Sequence, residues 1–154
     1  MARLRIIAID PGKNGSIAVR EGPEIISIEN MPQTPRDIFI SLSEAASSID
    51  CDNIVCYLEK VGAMPGNGAV SMFSFGQNFG MLQMALAALS IRTVEVRPNI
   101  WEKTLGLTDK KGTPKQEHKN RLKAAAQRLF PNIKVTHANQ DGLLISEYAY
   151  MQEK

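Results

Sequence analysis

Leu4-Arg5-Ile6-Ile7-Ala8-Ile9-Asp10-Pro11-Gly12 is the stretch on which the fold turns. Its apolar run is interrupted only by Arg5 and stops at Asp10-Pro11-Gly12, a turn signal, so it reads as a central strand. Working outward, Ser16–Arg20 and Ile25–Glu29 are short β segments separated by Glu21-Gly22-Pro23-Glu24. A three-strand antiparallel meander is the economical arrangement. Next, Thr34-Pro35-Arg36-Asp37 puts a hydroxyl N-cap before a proline at the first helical position. Ile38, Leu42, Ala45 and Ile49 then recur at helical spacing. Ile54–Leu58 is another apolar strand, and it ends at Glu59 as the first strand ends at Asp10.

After a loop from Val61 to Gly68, the spacing of Phe79, Leu82, Leu86 and Leu89 predicts a helix over Gln77–Leu89. Thr93–Val96 is a fifth strand, stopped by Pro98. Strands alternating with helices, with antiparallel strands inserted early, give an α/β sandwich around a mixed five-stranded sheet flanked by helices. Beyond it, Asn99–Leu105 reads as a short helix and Thr108–Pro114 as a mobile polar loop. Gln116–Phe130 reads as a basic helix with Leu122, Ala126 and Leu129 inward, ended by Pro131. The final helix begins near Asp141, with Leu144 and Tyr148 on its buried face.

The 154 residues, 44% hydrophobic and 22% charged, fit one domain over 1–154. No apolar run reaches 18 residues and the chain starts without a signal-like segment, so neither a membrane span nor secretion is expected, and the cytoplasm is the expected location. Cys51 and Cys56 are too close together, and too far from any other thiol or paired histidine, for a disulfide framework or a zinc cluster; they read as reduced structural thiols. The net charge of +2 hides an asymmetry. From Arg92 to Lys134 there are 11 Lys and Arg against 4 Asp and Glu, while the rest of the chain holds 7 against 12. A solvated basic helix face would produce this, and so would a surface that binds phosphodiesters.

Ligands of α/β sheets gather outside the carboxyl ends of parallel strands, where Asp10 and Glu59 sit. With Asp141 opening the last helix, three converging carboxylates would bind Mg²⁺ or Mn²⁺. Singly, Asp10 before Pro-Gly reads as a turn former and Asp141 as a helix cap. Glu59 is harder to dismiss, because a carboxylate directly after Val55-Cys56-Tyr57-Leu58 is costly to bury unpaired.

Ile7-Ala8-Ile9-Asp10-Pro11-Gly12, Leu58-Glu59-Lys60-Val61 and Asp141-Gly142-Leu143-Leu144-Ile145-Ser146 resemble, in order and spacing, the motifs of RuvC-type Holliday junction resolvases. The likeness spans most of the chain, and its compactness and variable loops look more like phage or viral relatives than the typical bacterial enzyme; a phage-encoded protein would work in the host cytoplasm. The resemblance implies an RNase H-like nuclease domain, a homodimer, and Mg²⁺-dependent cutting of paired strands at a four-way DNA junction, leaving 5′-phosphate and 3′-hydroxyl ends, with Mn²⁺ as a substitute ion and no small-molecule cofactor. Asp10, Glu59 and Asp141 fall on the family's catalytic, metal-binding carboxylates. There is one departure. The family often has a fourth acid three positions before the last Asp, where this chain has Ala138. Either His137 supplies the ligand or proton-transfer group, or the position is disabled. His118, on the basic helix, is the weaker histidine candidate. Lys103, Lys110, Lys111, Lys115, Lys119, Arg121 and Lys123 are the expected phosphate contacts. Met72, Phe73, Phe79 and Leu82 are the expected dimer face, against a plain core role; Phe73 or Phe75 could also stack on an unpaired base at the junction centre.

Three rival readings remain. Asp10-Pro11-Gly12-Lys13-Asn14-Gly15 also resembles the first phosphate loop of actin-like and sugar-kinase ATPases, but those need a second lobe and 154 residues hold one. A nuclease acting on flaps or RNA, and a catalytically silent branched-DNA binding module, are the others.

Overall fold

The computed structural model describes residues 3–154, and the side chain of Cys51 lies outside the described parts. Five strands form one mixed sheet: β1 (Arg5–Asp10), β2 (Ser16–Glu21), β3 (Glu24–Asn30), β4 (Ile54–Glu59) and β5 (Arg92–Val96). Their spatial order is β3-β2-β1-β4-β5. The first three make the antiparallel meander, while β4 runs parallel to β1, and β5 parallel to β4. This is the expected α/β layering, with β1 in the centre.

Strand side chains alternate between faces, and here both faces are covered. Ile7, Ile9, Ile17, Cys56 and Leu58 point into a core under α1 (Pro35–Ala45) and α2 (Ala69–Ala88). Ile6, Ala8, Ala18, Val55 and Tyr57 point the other way, into a core closed by α3 (Pro98–Thr104), α4 (Lys115–Leu129) and α5 (Gln140–Gln152). Two-sided burial explains why β1 and β4 read as unbroken apolar runs. Cys56 is a buried free thiol.

Local signals set several element ends. The Thr34 hydroxyl accepts from the Asp37 amide at 3.1 Å, and Pro35 opens α1. The helix stops at Ala45, short of Ile49, because Ser48 turns the chain at φ 60°; Ile49 still packs against the core from that turn. Two expectations need correcting. α2 begins at Ala69, eight residues before Gln77, because its apolar residues surround the axis: Val70, Phe73 and Met84 are exposed while Leu82 and Leu86 are buried. Without a polar face, the helical period is weak. In α4, Leu129 faces solvent, and Ala125 takes the inward position beside Leu122 and Ala126; Phe130, just past the helix end, is the buried residue there.

Candidate active site

Strand register and side-chain parity place the first polar groups. Asp10 lies in phase with Ile6 and Ala8, and Glu59 with Val55 and Tyr57, so both point to the face covered by α3, α4 and α5. Ile9 pairs with Leu58 across the parallel ladder, so Asp10 and Glu59 follow abreast at the ends of neighbouring strands. On the other side, Asp10 is the cross-strand partner of Ser16. Asp141 stands in the first turn of α5, which packs over β1 and β2.

The turn after Asp10 is tightly built. At Gly15 a Cβ would lie 1.9 Å from the Asp10 carbonyl oxygen, so only glycine lets the chain fold back into β2. The Gly15 amide donates to the Gly12 carbonyl at 3.0 Å, and the Met31 amide donates to Gly15 at 2.9 Å. From α2, the Asn78 side-chain oxygen accepts from the Gly12 amide at 2.7 Å, fixing the turn that carries Asp10.

Burial and mutual charge dominate the electrostatics of these acids. Burial, then the charges of Asp141 and Glu59, raise the Asp10 carboxyl well above the usual range. Glu59, 5% exposed, is pushed up to about 7, chiefly by burial. The Trp101 indole N–H, donating to Glu59 Oε2 at 2.6 Å, pulls it the other way, and the Asp141 and Glu102 charges add to the rise. Burial also raises Asp141, with Gln140, His118 and Lys119 opposing and Glu102 adding to the rise. Asp141 Oδ1 is buried without a hydrogen-bond partner.

Hard oxygen donors, mutual repulsion and an orphaned carboxylate oxygen fit a hard divalent cation such as Mg²⁺ or Mn²⁺. The fit is not a closed cage: among the described residues, no three carboxylate, imidazole or thiol groups stand close enough to enclose an ion as they are. Trp101 ties down one oxygen of Glu59.

The two histidines differ from expectation. His137 is exposed, and its ring Nδ1 meets Gln140 Oε1 at 3.0 Å; no bond links it to the three carboxylates. His118 is the imidazole whose charge is felt at Asp141. Its ring nitrogens lie 2.6 Å from Asp109 Oδ2 and 3.3 Å from Glu102 Oε1. Burial lowers its pKa, but these two carboxylates more than offset that, and the net shift is upward.

Lys103, Lys110, Lys111, Lys115 and Lys119 are exposed and Lys123 is half-buried. Arg121 is exposed but occupied: it pairs with Asp109 and donates to the Gly106 carbonyl, bracing the loop that carries Lys110 and Lys111. Of the expected dimer face, Leu82 belongs to the core, Phe79 is half-buried and stacked on Phe75, Met72 is half-buried and Phe73 is 70% exposed. Sequence reading missed Trp101, Ser16 and Asn78. Only Trp101 left a signal, as an indole that needs an acceptor once a short helix buries it.

No protein-family model matches the chain, and no curated protein sequence matches it. Solved structures do. Thermus thermophilus RuvC aligns over 97% of this chain and 96% of its own, with a TM-score of 0.67 and 13% sequence identity. T. thermophilus RuvC in complex with Holliday junction substrate aligns over the same shares at TM-score 0.67 and 10% identity. The chain thus has the RNase H-like fold of RuvC. At these identities the likeness is one of fold.

Proposed function

We propose that this chain is a divalent-metal-dependent DNA endonuclease that resolves four-way (Holliday) junctions, leaving 5′-phosphate and 3′-hydroxyl ends. One observation carries the reading: on a fold similar to that of a RuvC bound to a Holliday junction, Asp10 and Glu59 stand abreast at strand ends on the face that α5 covers with Asp141. Asp10, whose carboxyl is raised by both of the others, is the central ligand, and Glu59 and Asp141 complete the set. When bound there, Mg²⁺, or Mn²⁺ in its place, supplies charge stabilisation at the phosphate and a lowered pKa for the attacking water.

The protein's own groups do the rest. Trp101 keeps Glu59 oriented through its indole N–H. His137 acts at one remove, through Gln140, the neighbour of Asp141. Lys103, Lys110, Lys111, Lys115, Lys119 and Lys123 meet phosphates, while Arg121 braces their loop. The working unit is a homodimer, because paired cuts across an approximately two-fold junction need two sites related by the same symmetry. Its contact face is the exposed stripe of α2 at Val70, Phe73 and Met84.

The test is cleavage of a synthetic four-way junction beside linear duplex, flap and RNA substrates, with Mg²⁺ or with chelator. Symmetric, Mg²⁺-dependent cutting of the junction alone is expected. Preference for flaps or RNA would make it an RNase H-like nuclease of another kind, and tight junction binding without cutting a silent binding module.

A further inference from the structure

Two buried side-chain atoms among the described residues lack a hydrogen-bond partner: Ser16 Oγ and Asp141 Oδ1. They belong to one place. Ser16 opens β2 opposite Asp10, its side chain on the same face as Ala18, and it is fully buried. Gly142, the residue after Asp141, lies so close over it that an added Cβ would stand 2.3 Å from Ser16 Oγ. The first turn of α5 is thus seated on this hydroxyl. A buried polar atom left unpaired opposes folding, so a native structure that keeps one has a use for it. Here one atom can donate, and the other, on an ionised carboxylate, can only accept. Neither bonds to a protein group, and a water is the partner that can satisfy each of them.

We infer that Ser16 is a positioning residue of the carboxylate site, its hydroxyl holding a water shared with Asp141 and so fixing how that carboxylate meets a divalent cation. It enters from the β2 side, opposite the strand that bears Glu59. It also gives the site a fourth oxygen, where the position three residues before Asp141 holds only Ala138. If Ser16 merely filled the space beneath Gly142, alanine would fill it as well and spare the molecule an unpaired hydroxyl. The inference rests on reading Asp10, Glu59 and Asp141 as metal ligands.

The test uses the full chain without DNA: Mn²⁺ titration followed by the free-ion EPR signal, with thermal unfolding in chelator. Ser16→Ala should weaken Mn²⁺ binding about tenfold, the loss typical when a group supporting a ligand is removed. Its Tm in chelator should be unchanged or higher, since no protein partner is lost. Gly142→Ala should lower the Tm, and adding Ser16→Gly should restore it while Mn²⁺ binding stays weak. A Ser16→Ala isotherm that superimposes on wild type overturns the inference and leaves the metal reading standing. So does a clear drop in its Tm in chelator, or a Gly142→Ala variant as stable as wild type. If the wild type binds Mn²⁺ no better than Asp10→Asn, the metal reading falls and this inference with it.

Discussion

Replacing Asp10 by asparagine removes one buried negative charge and almost no volume, so its two consequences can be measured apart. The carboxylate is opposed by burial and by the charges of Asp141 and Glu59, so without metal the substitution should raise the Tm at neutral pH. The same charge is the one proposed to hold the cation, so junction cleavage in Mg²⁺ should fall more than about 100-fold while junction binding persists. Cleavage near the wild-type rate would end the assignment. At this scale the placement of the three acids was legible, because Asp10 and Glu59 close apolar runs and Asp141 stands in the first turn of a helix. The surroundings of the two histidines were not. His137 drew attention by its nearness in sequence to Asp141, yet contacts set by the fold bring His118, 23 residues earlier in the chain, into electrostatic reach of that carboxylate.

Elements set the surfaces proposed to meet DNA and a second copy. The loop between α3 and α4 is braced through Asp109, which holds both His118 and Arg121, leaving Lys110 and Lys111 exposed on a supported backbone. Each lysine that releases a counterion contributes roughly 0.9 to the slope of log affinity against log salt, so replacing both by alanine should reduce the slope by up to about two. Unchanged slope and affinity would leave them as ordinary solvated lysines. For α2, the exposed Val70, Phe73 and Met84 should be covered in a dimer. Phe73→Glu should then shift sedimentation at micromolar concentration toward monomer without lowering the Tm of the isolated chain. A wild-type monomer with full activity would remove the dimer. The strands were legible to within a residue or two, because two-sided burial writes itself as an apolar run. The start of α2 was not, because Ala69–Gly76 offers no polar face to set a period.

For the molecule as a whole, three carboxyls with raised pKa values make folding depend on protons. The folded state of Glu59 titrates at about 7, and Asp10 and Asp141 are also above their ordinary values. Protonation therefore favours the folded chain: the stability is fully present below the unfolded value near 4 and drains away as pH rises through the folded values. From the Glu59 shift alone this amounts to something on the order of 3 kcal/mol. In chelator, the Tm should fall between about pH 4.5 and 7.5, and Glu59→Gln should flatten the fall. Saturating Mg²⁺ should recover it at the upper end. A Tm in chelator that climbs through this window would contradict the electrostatics described for the site.

β1 has a further consequence. Its residues Ile6 to Ile9 are at most 2% exposed, with a hydrogen-bonded neighbour on each side, and Asp10 is its last residue. Amides so placed exchange with solvent only when the entire domain opens. Asp10, the proposed central ligand, is therefore expected to sit at the end of the slowest-exchanging strand, not on a fraying loop. On heating, active protein should disappear in step with the last protected β1 amides, with no window in which a folded but inactive population accumulates.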